Sequence, residues 1–342
     1  MSDLRIALLG SGYMGRTYAE GIAKYNTRVR LMAVAGGTRA AGLASDYGVD
    51  CEPDYEALLS RGDVDAVLIA TPHATHLSQV IQAAEAGKHV LVEKPMATSS
   101  KDCTAMIEAC EGAGVHLEVI QTLRFRGAVS RAREILDQGL LGEIWLLREH
   151  SVFSGYFTDD KPWTGLPEHG GAFLDMGVHN FDAMRFLSGS EAKSIFSQGK
   201  TFGSQQHQRL SDMTQIAFDS GAMAQQWMSY EMPPPNLDNQ QHRYVVVGEE
   251  GTLDIDGYGK LMLGRGDSWE LIWEQPPIDY IGRPMDPARL EAFYGQTQLF
   301  ADNILDGKPP TVSGYDGRAA VRMVEATRKS IDSGQVVTLD HA

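Results

Sequence analysis

A mostly apolar run, Leu4-Arg5-Ile6-Ala7-Leu8-Leu9, leads directly into Gly10-Ser11-Gly12-Tyr13-Met14-Gly15 and then into a stretch of helical pattern to about Tyr25. This local order strongly constrains the fold. A buried strand that ends in G-x-G-x-x-G and opens a helix is the first βα unit of a parallel sheet. Gly10 permits the tight turn, Gly12 leaves room for a pyrophosphate against the backbone, and Gly15 lets the helix pack on the strand. Ser11, Tyr13 and Met14 complete the turn, and the backbone N–H groups of the helix start face an anion. The context points to a dinucleotide site rather than a plain glycine-rich turn.

The same rhythm continues downstream. Val29 to Ala35, Ala66 to Ala70, Val90 to Val92 and Val115 to Ile120 read as strands, with helices such as Leu77 to Ala86 and Lys101 to Gly112 between them. Right-handed crossovers make this a doubly wound parallel sheet, an α/β dinucleotide-binding Rossmann domain over residues 1–122. Ligands in such sheets bind at the carboxyl ends of the strands. Gly12, Thr71-Pro72 with His76 close behind, and Glu93-Lys94-Pro95 all fall there. The end of the second strand selects the cofactor, because an acid there would bond the ribose 2′-hydroxyl of NAD. Here the chain reads Ala35-Gly36-Gly37-Thr38-Arg39, with no acid. Arg39 can pair with a 2′-phosphate and Thr38 can donate to it, which favours NADP. With Arg39 as an ordinary solvated residue at a helix start, NAD is the alternative.

Beyond Gln121 the pattern changes. A helix from about Ala128 to Gln138 precedes strand-like runs at Ile144 to Phe153, Ser194 to Phe202, Gln215 to Phe218, Ala222 to Tyr230, Tyr244 to Gly248 and Thr252 to Ile255. Turns such as Asp219-Ser220-Gly221 separate them, so residues 123–342 are expected to form an α+β domain with an open, mostly antiparallel sheet. Helices near Pro287 to Asp306 and Tyr315 to Ser333 close the chain. A sheet face of mixed character, as in Gln225-Gln226-Trp227-Met228, invites pairing with a second copy, so a homodimer or homotetramer is expected. Arg124 and the aromatic residues Phe125, Tyr156 and Trp163 are candidates to contact a sugar ring, with burial in the core as the other reading of the aromatics.

The segment Gly170-Gly171-Ala172-Phe173-Leu174-Asp175-Met176-Gly177-Val178-His179-Asn180-Phe181-Asp182 carries the chemistry. In a helix, Asp175 and His179 stand one turn apart on one face. A carboxylate beside an imidazole is suited to moving a proton near neutral pH. The paired glycines allow a close approach to the helix start. A dipole-complementing Asp175, a core His179 and a metal site made by Asp175, His179 and Asp182 are the alternative readings, but no companion ligand cluster accompanies them and no metal is expected.

Composition narrows the classes. A net charge of −15 over 342 residues disfavours nucleic acid as a partner. Three cysteines without metal spacing suit a reducing compartment. The chain has no apolar run of membrane-spanning length, and Met1-Ser2-Asp3 leads straight into a strand, so a cytoplasmic protein is expected.

Taken together, the glycine motif, Thr71-Pro72 with His76, Glu93-Lys94-Pro95, Gly170 through Asp182 and the closing Ser313 to Gly334 resemble the Gfo/Idh/MocA oxidoreductases, which include glucose–fructose oxidoreductase and inositol dehydrogenase. The likeness spans essentially the whole chain. It implies hydride transfer between a nicotinamide cofactor and a secondary alcohol or carbonyl of a sugar, sugar acid or cyclitol. It also implies that Lys94, Asp175 and His179 act together on the reacting hydroxyl. The missing acid after the second strand departs from the NAD-dependent members. A glycoside-cleaving hydrolase or lyase with a recycled cofactor, and a ligand sensor without chemistry, are the competing classes.

Overall fold

A computed structural model describes residues 3–152, 166–202, 211–235, 241–279 and 282–340. The chain forms two compact units: Met1–Phe125 with Ile278–Arg318, and Arg126–Pro277 with Ala319–Ala342. A single boundary near residue 122 was expected, whereas the chain crosses after Phe125, returns at Ile278 and leaves again after Arg318.

The first unit holds strands β1 (Leu4–Leu9), β2 (Val29–Ala35), β3 (Asp50–Cys51), β4 (Ala66–Ile69), β5 (His89–Val92) and β6 (Leu117–Val119) in one sheet of order β3-β2-β1-β4-β5-β6. Every pairing in it is parallel. β4 is buried along its whole length, as strands covered on both faces must be. The connecting helices include α1 (Tyr13–Lys24), α2 (Ala40–Tyr47), α3 (Tyr55–Leu59), α4 (His76–Glu85) and α5 (Ser100–Ala113). α5 shows how sequence sets the ends: Ser99 accepts from the Asp102 N–H, and Gly114 closes the helix in the left-handed conformation.

Helix α8 (Pro287–Leu305) belongs to this unit for identifiable reasons. Phe300 and Ala301 join the core of Leu4, Ile6 and Tyr18. Gln296 donates to the Val119 carbonyl and accepts from the Gln121 N–H, and Asn303 donates to Glu118.

The second unit contains α6 (Gly127–Asp137), β7 (Ile144–Val152), α7 (Gly171–Ser188), strands β8 (Ala192–Lys200) through β14 (Ser268–Glu274), and β15 (Val337–Thr338). Helix α9 (Gly314–Ser333) contains the last crossing of the chain. Among the described residues the sheet has nine strands in the order β14-β13-β12-β11-β7-β10-β9-β8-β15, where β9 is Ser211–Phe218, β10 Met223–Ser229, β11 Arg243–Gly248, β12 Thr252–Asp256 and β13 Lys260–Arg265. Its pairs are antiparallel except β7 with β10. Inward and outward positions alternate, most regularly along β9. Leu146, Met213 and Met223 are each about half exposed on the open face, where Leu146 and Met223 line a groove with Phe196, Ala217 and Val247.

Candidate functional site

In the first unit the glycine motif takes the conformation its spacing demands. Gly10 has φ 118°, and a Cβ there would lie 2.3 Å from the Ala70 carbonyl oxygen. A Cβ on Gly15 would lie 2.0 Å from the Gly10 oxygen, so only glycine lets α1 approach β1 this closely. Gly12 differs. It is extended, and within 4 Å its Cβ would meet only the Arg39 guanidinium, at 3.7 Å. The space above Gly12, at the start of a helix, is a cradle that a side chain would fill, and it fits a dinucleotide pyrophosphate.

The end of β2 closes against this turn. Ser11 donates to the Gly36 carbonyl at 2.8 Å, and a Cβ on Gly37 would meet Ser11 Oγ at 2.6 Å. This contact carries Arg39 beside Gly12, with Thr38 exposed next to it. Tyr13 is also exposed, and its ring lies 4.7 Å from the Arg289 guanidinium, which bonds Thr17 as well. Met14 packs against the core.

Two loops at the carboxyl ends of β4 and β5 are tied together. His76 is fully buried, with Nδ1 2.9 Å from the Pro95 oxygen and Nε2 2.9 Å from the Thr71 oxygen. Thr71 Oγ1 donates to Gln79. His76, which sequence reasoning groups with cofactor contacts, thus spans the Thr71-Pro72 loop and the Glu93-Lys94-Pro95 loop. Glu93 is buried too. It accepts from the Tyr18 hydroxyl at 2.6 Å and from the Lys94 N–H at 2.9 Å, which sets the backbone from which the partly buried Lys94 projects. Burial, and then Glu93, push the Tyr18 hydroxyl well above its ordinary range, so it stays a donor.

Of the proposed substrate contacts, Arg124 pairs with Asp316 at 2.9 Å within the first unit, and Phe125 lies close to Gly295. Tyr156 and Trp163 lie outside the described residues.

In the second unit the expected helix is present as α7. Gly170 and Gly171 are both left-handed, at φ 80° and 68°. A Cβ on Gly170 would lie 2.3 Å from Leu174 Cδ2, and Arg328 bonds the Gly170 carbonyl. The paired glycines therefore make the turn into the helix and the packing beneath it. Asp175 is buried and His179 partly buried, one turn apart on α7 as the spacing requires. Asp182 is fully buried and pairs with Arg185 at 3.7 Å.

Beneath α7 lies a polar layer that sequence reasoning missed. On the buried face of the sheet, Ser197, Thr214, Gln226, Glu149 and Tyr244 stand opposite one another across five adjacent strands, each at most 1 % exposed. Glu149 accepts from Ser151 at 2.5 Å, and Asp212 accepts from Thr214 at 2.7 Å. Burial pushes the Glu149 carboxyl well above the carboxylate range and Asp212 up to about 7. Tyr230, raised by burial and then by Asp212, Glu149 and Asp175, places this layer close to the candidate acid–base helix. A polar residue at the inward phase of three neighbouring strands (Glu149, Gln226 and Thr214) is a signal the alternation could have revealed.

Among the described residues, no group of three or more His, Cys, Asp or Glu side chains is arranged to hold a metal ion. No helix among them is long and apolar enough to cross a membrane.

Comparison with known proteins agrees with this architecture. Residues 4–121 match the oxidoreductase family with an NAD-binding Rossmann fold, and residues 129–254 match the GFO/IDH/MocA C-terminal domain. The chain is 29% identical to scyllo-inositol 2-dehydrogenase (NAD(+)) of Bacillus subtilis, over 99% of this chain and 97% of that protein. It is 27% identical to 2,7-anhydro-N-acetylneuraminate hydratase of Mediterraneibacter gnavus, over 96% and 95%. The crystal structure of aldose-aldose oxidoreductase from Caulobacter crescentus complexed with glycerol superposes with a TM-score of 0.85 at 26% identity, covering 98% of this chain and all of that one. With both of its characteristic domains matched in order, the chain belongs to the GFO/IDH/MocA oxidoreductase family.

Proposed function

We propose that this protein is an NAD(P)-dependent dehydrogenase or reductase acting on a secondary alcohol or carbonyl of a sugar, sugar acid or cyclitol. The observation that carries the reading is the open cradle at Gly12 in a chain that also presents Asp175 and His179 on one helix. The inositol dehydrogenase and aldose oxidoreductase relatives support the substrate class. When bound, the nicotinamide supplies a hydride acceptor or donor. His179 takes the hydroxyl proton during oxidation and returns it to the carbonyl oxygen during reduction. The Lys94 ammonium donates to the same oxygen and stabilises its developing negative charge. Asp175 orients these groups and balances their charge. Arg39 beside Gly12 favours NADP over NAD, because a guanidinium there pairs with a 2′-phosphate. The exposed Leu146, Met213 and Met223 on one sheet face support assembly of a homodimer or homotetramer.

The hydratase relative supports a second reading, in which the cofactor is recycled and a glycosidic or ether bond is broken without net change in NAD(P)H. A panel of sugars, sugar acids and cyclitols followed at the nicotinamide absorbance, together with product analysis, separates the two. With the substrate so identified, Lys94→Ala and His179→Ala are expected to lose about 10²–10⁴-fold in turnover with cofactor affinity near the parent value. Parental turnover in either variant would remove that residue from the mechanism.

A further inference from the structure

We propose that His242 is a positioning residue that holds the imidazole of His179 in its working orientation. The inference rests on the reading of His179 as the proton-transfer group and adds a residue to it.

His242 has φ 52°, the single positive value for a non-glycine among the described residues, and it is 2 % exposed. A buried side chain in the left-handed region persists only where its surroundings over-determine it, and such residues cluster at functional sites. Here several of the constraints can be named. The His242 N–H donates to Ser151 Oγ at 3.1 Å, and its carbonyl accepts from the Gly257 N–H at 3.0 Å. A Cβ on Gly257 would lie 2.8 Å from that carbonyl oxygen, so glycine is what admits the contact.

The ring is tied as firmly. Nδ1 lies 2.9 Å from Asn180 Oδ1 and 3.2 Å from Ser151 Oγ. Asn180 Nδ2 is turned to the Met228 sulfur, a weak acceptor, so Oδ1 is the atom facing His242. The Ser151 hydrogen goes to Glu149. Both neighbours of Nδ1 are therefore acceptors, and Nδ1 carries the proton. Asn180 directly follows His179 on α7, so one bond links His242 to the helix that presents the candidate base.

The held ring then meets His179. The two imidazoles are 6.1 Å apart between centroids and inclined at 69°, an edge-to-face contact. On its other side His242 faces Tyr258, with ring centroids 5.7 Å apart, and the Arg126 guanidinium covers Tyr258 at 4.9 Å. The order Arg126, Tyr258, His242, His179 forms a wall, and its last contact restrains the ring of the candidate base.

The test labels the full chain with ¹⁵N-histidine and records ring-nitrogen resonances of the parent, His242→Asn and His179→Gln, the last identifying the His179 signals by their loss. Asparagine accepts the left-handed backbone and keeps an N–H near the place of Nδ1, so His242→Asn retains the link to Asn180 and removes only the ring edge. The His179 signals are expected to shift by more than a linewidth in His242→Asn, with the melting temperature and the affinity for the probes NADH and NADPH at parental values. Superimposable His179 signals overturn the proposal. In the parent, a nuclear Overhauser contact between the two rings is expected, and its absence overturns the proposal even if the variant does not fold. Parental turnover in His179→Gln would instead sink the reading of His179 as the base, so the two failures are distinguishable.

Discussion

Asp212 offers a quantitative test of the polar layer beneath α7. Its carboxyl is 4 % exposed, accepts one hydrogen bond from Thr214, and leaves Oδ1 without a partner. Burial lifts it from an ordinary 3.8 to about 7, and the Thr214 hydroxyl offsets only part of that. The gap corresponds to about 4 kcal/mol at about 1.4 kcal/mol per pH unit. The sign follows from linkage. Between pH 4 and 7 the folded state holds this proton while the unfolded chain releases it. The contribution of Asp212 is therefore fully present below pH 4 and is lost as pH rises through 7.

Asp212→Asn removes the titration and keeps the shape. Its stability relative to the parent is expected to climb by about 4 kcal/mol between pH 4 and 8. For a cooperative unit of 150–250 residues, that is a relative gain in Tm of about 8–16 °C. Titrating groups that do not feel Asp212 cancel in the difference, Glu149 and Tyr230 being the neighbours that do feel its charge, and any cost of the new amide is the same at every pH. Thermal unfolding of parent and variant across pH 4 to 8 measures it. A Tm difference that stays flat across that range would refute the assignment of a neutral, buried carboxyl.

The remaining expectations concern the cofactor and assembly. Gly12→Val should fold, because a Cβ there meets only Arg39 within 4 Å, yet lose cofactor binding in a fluorescence titration; Gly15→Ala should instead lose stability, because its Cβ would lie 2.0 Å from the Gly10 oxygen. Arg39→Ala should reduce the preference for NADP over NAD by about 1.5–3 kcal/mol, roughly 10- to 100-fold in relative affinity, and an unchanged ratio would remove Arg39 from cofactor choice. Met223→Arg puts a charge on the exposed sheet face and should lower the molar mass found by light scattering, with the thermal unfolding of the parent retained.

What was legible in the sequence follows from how each residue is buried. β1 and β2 were readable to the residue, because both are apolar and buried along most of their length. β13 and β14 escaped notice, since β14 is exposed at most positions and β13 carries Gly264, leaving little alternation to detect. The return of α8 to the first unit was hidden for a different reason. Phe300 and Ala301 mark a buried face, but a periodic pattern says that a helix packs and not on which core.

The candidate site divides along the same line. Asp175 and His179 were visible because both lie within one turn of one helix, where spacing alone puts them together. His242, Ser151, Asn180 and Glu149 come from three elements far apart in sequence, and only the register of β7 and the bend before β11 bring them into contact. Two of them break a local rule. Glu149 occupies the inward phase of a strand, and His242 takes a backbone conformation suited to glycine or asparagine. A sheet selected only for stability would place apolar residues at Glu149, Gln226 and Thr214, where burial of polar groups is costly. Such violations concentrate where function holds a structure away from its most stable sequence. Here Glu149 lies on the strand that packs against the helix carrying Asp175 and His179, and His242 bonds Asn180 of that helix.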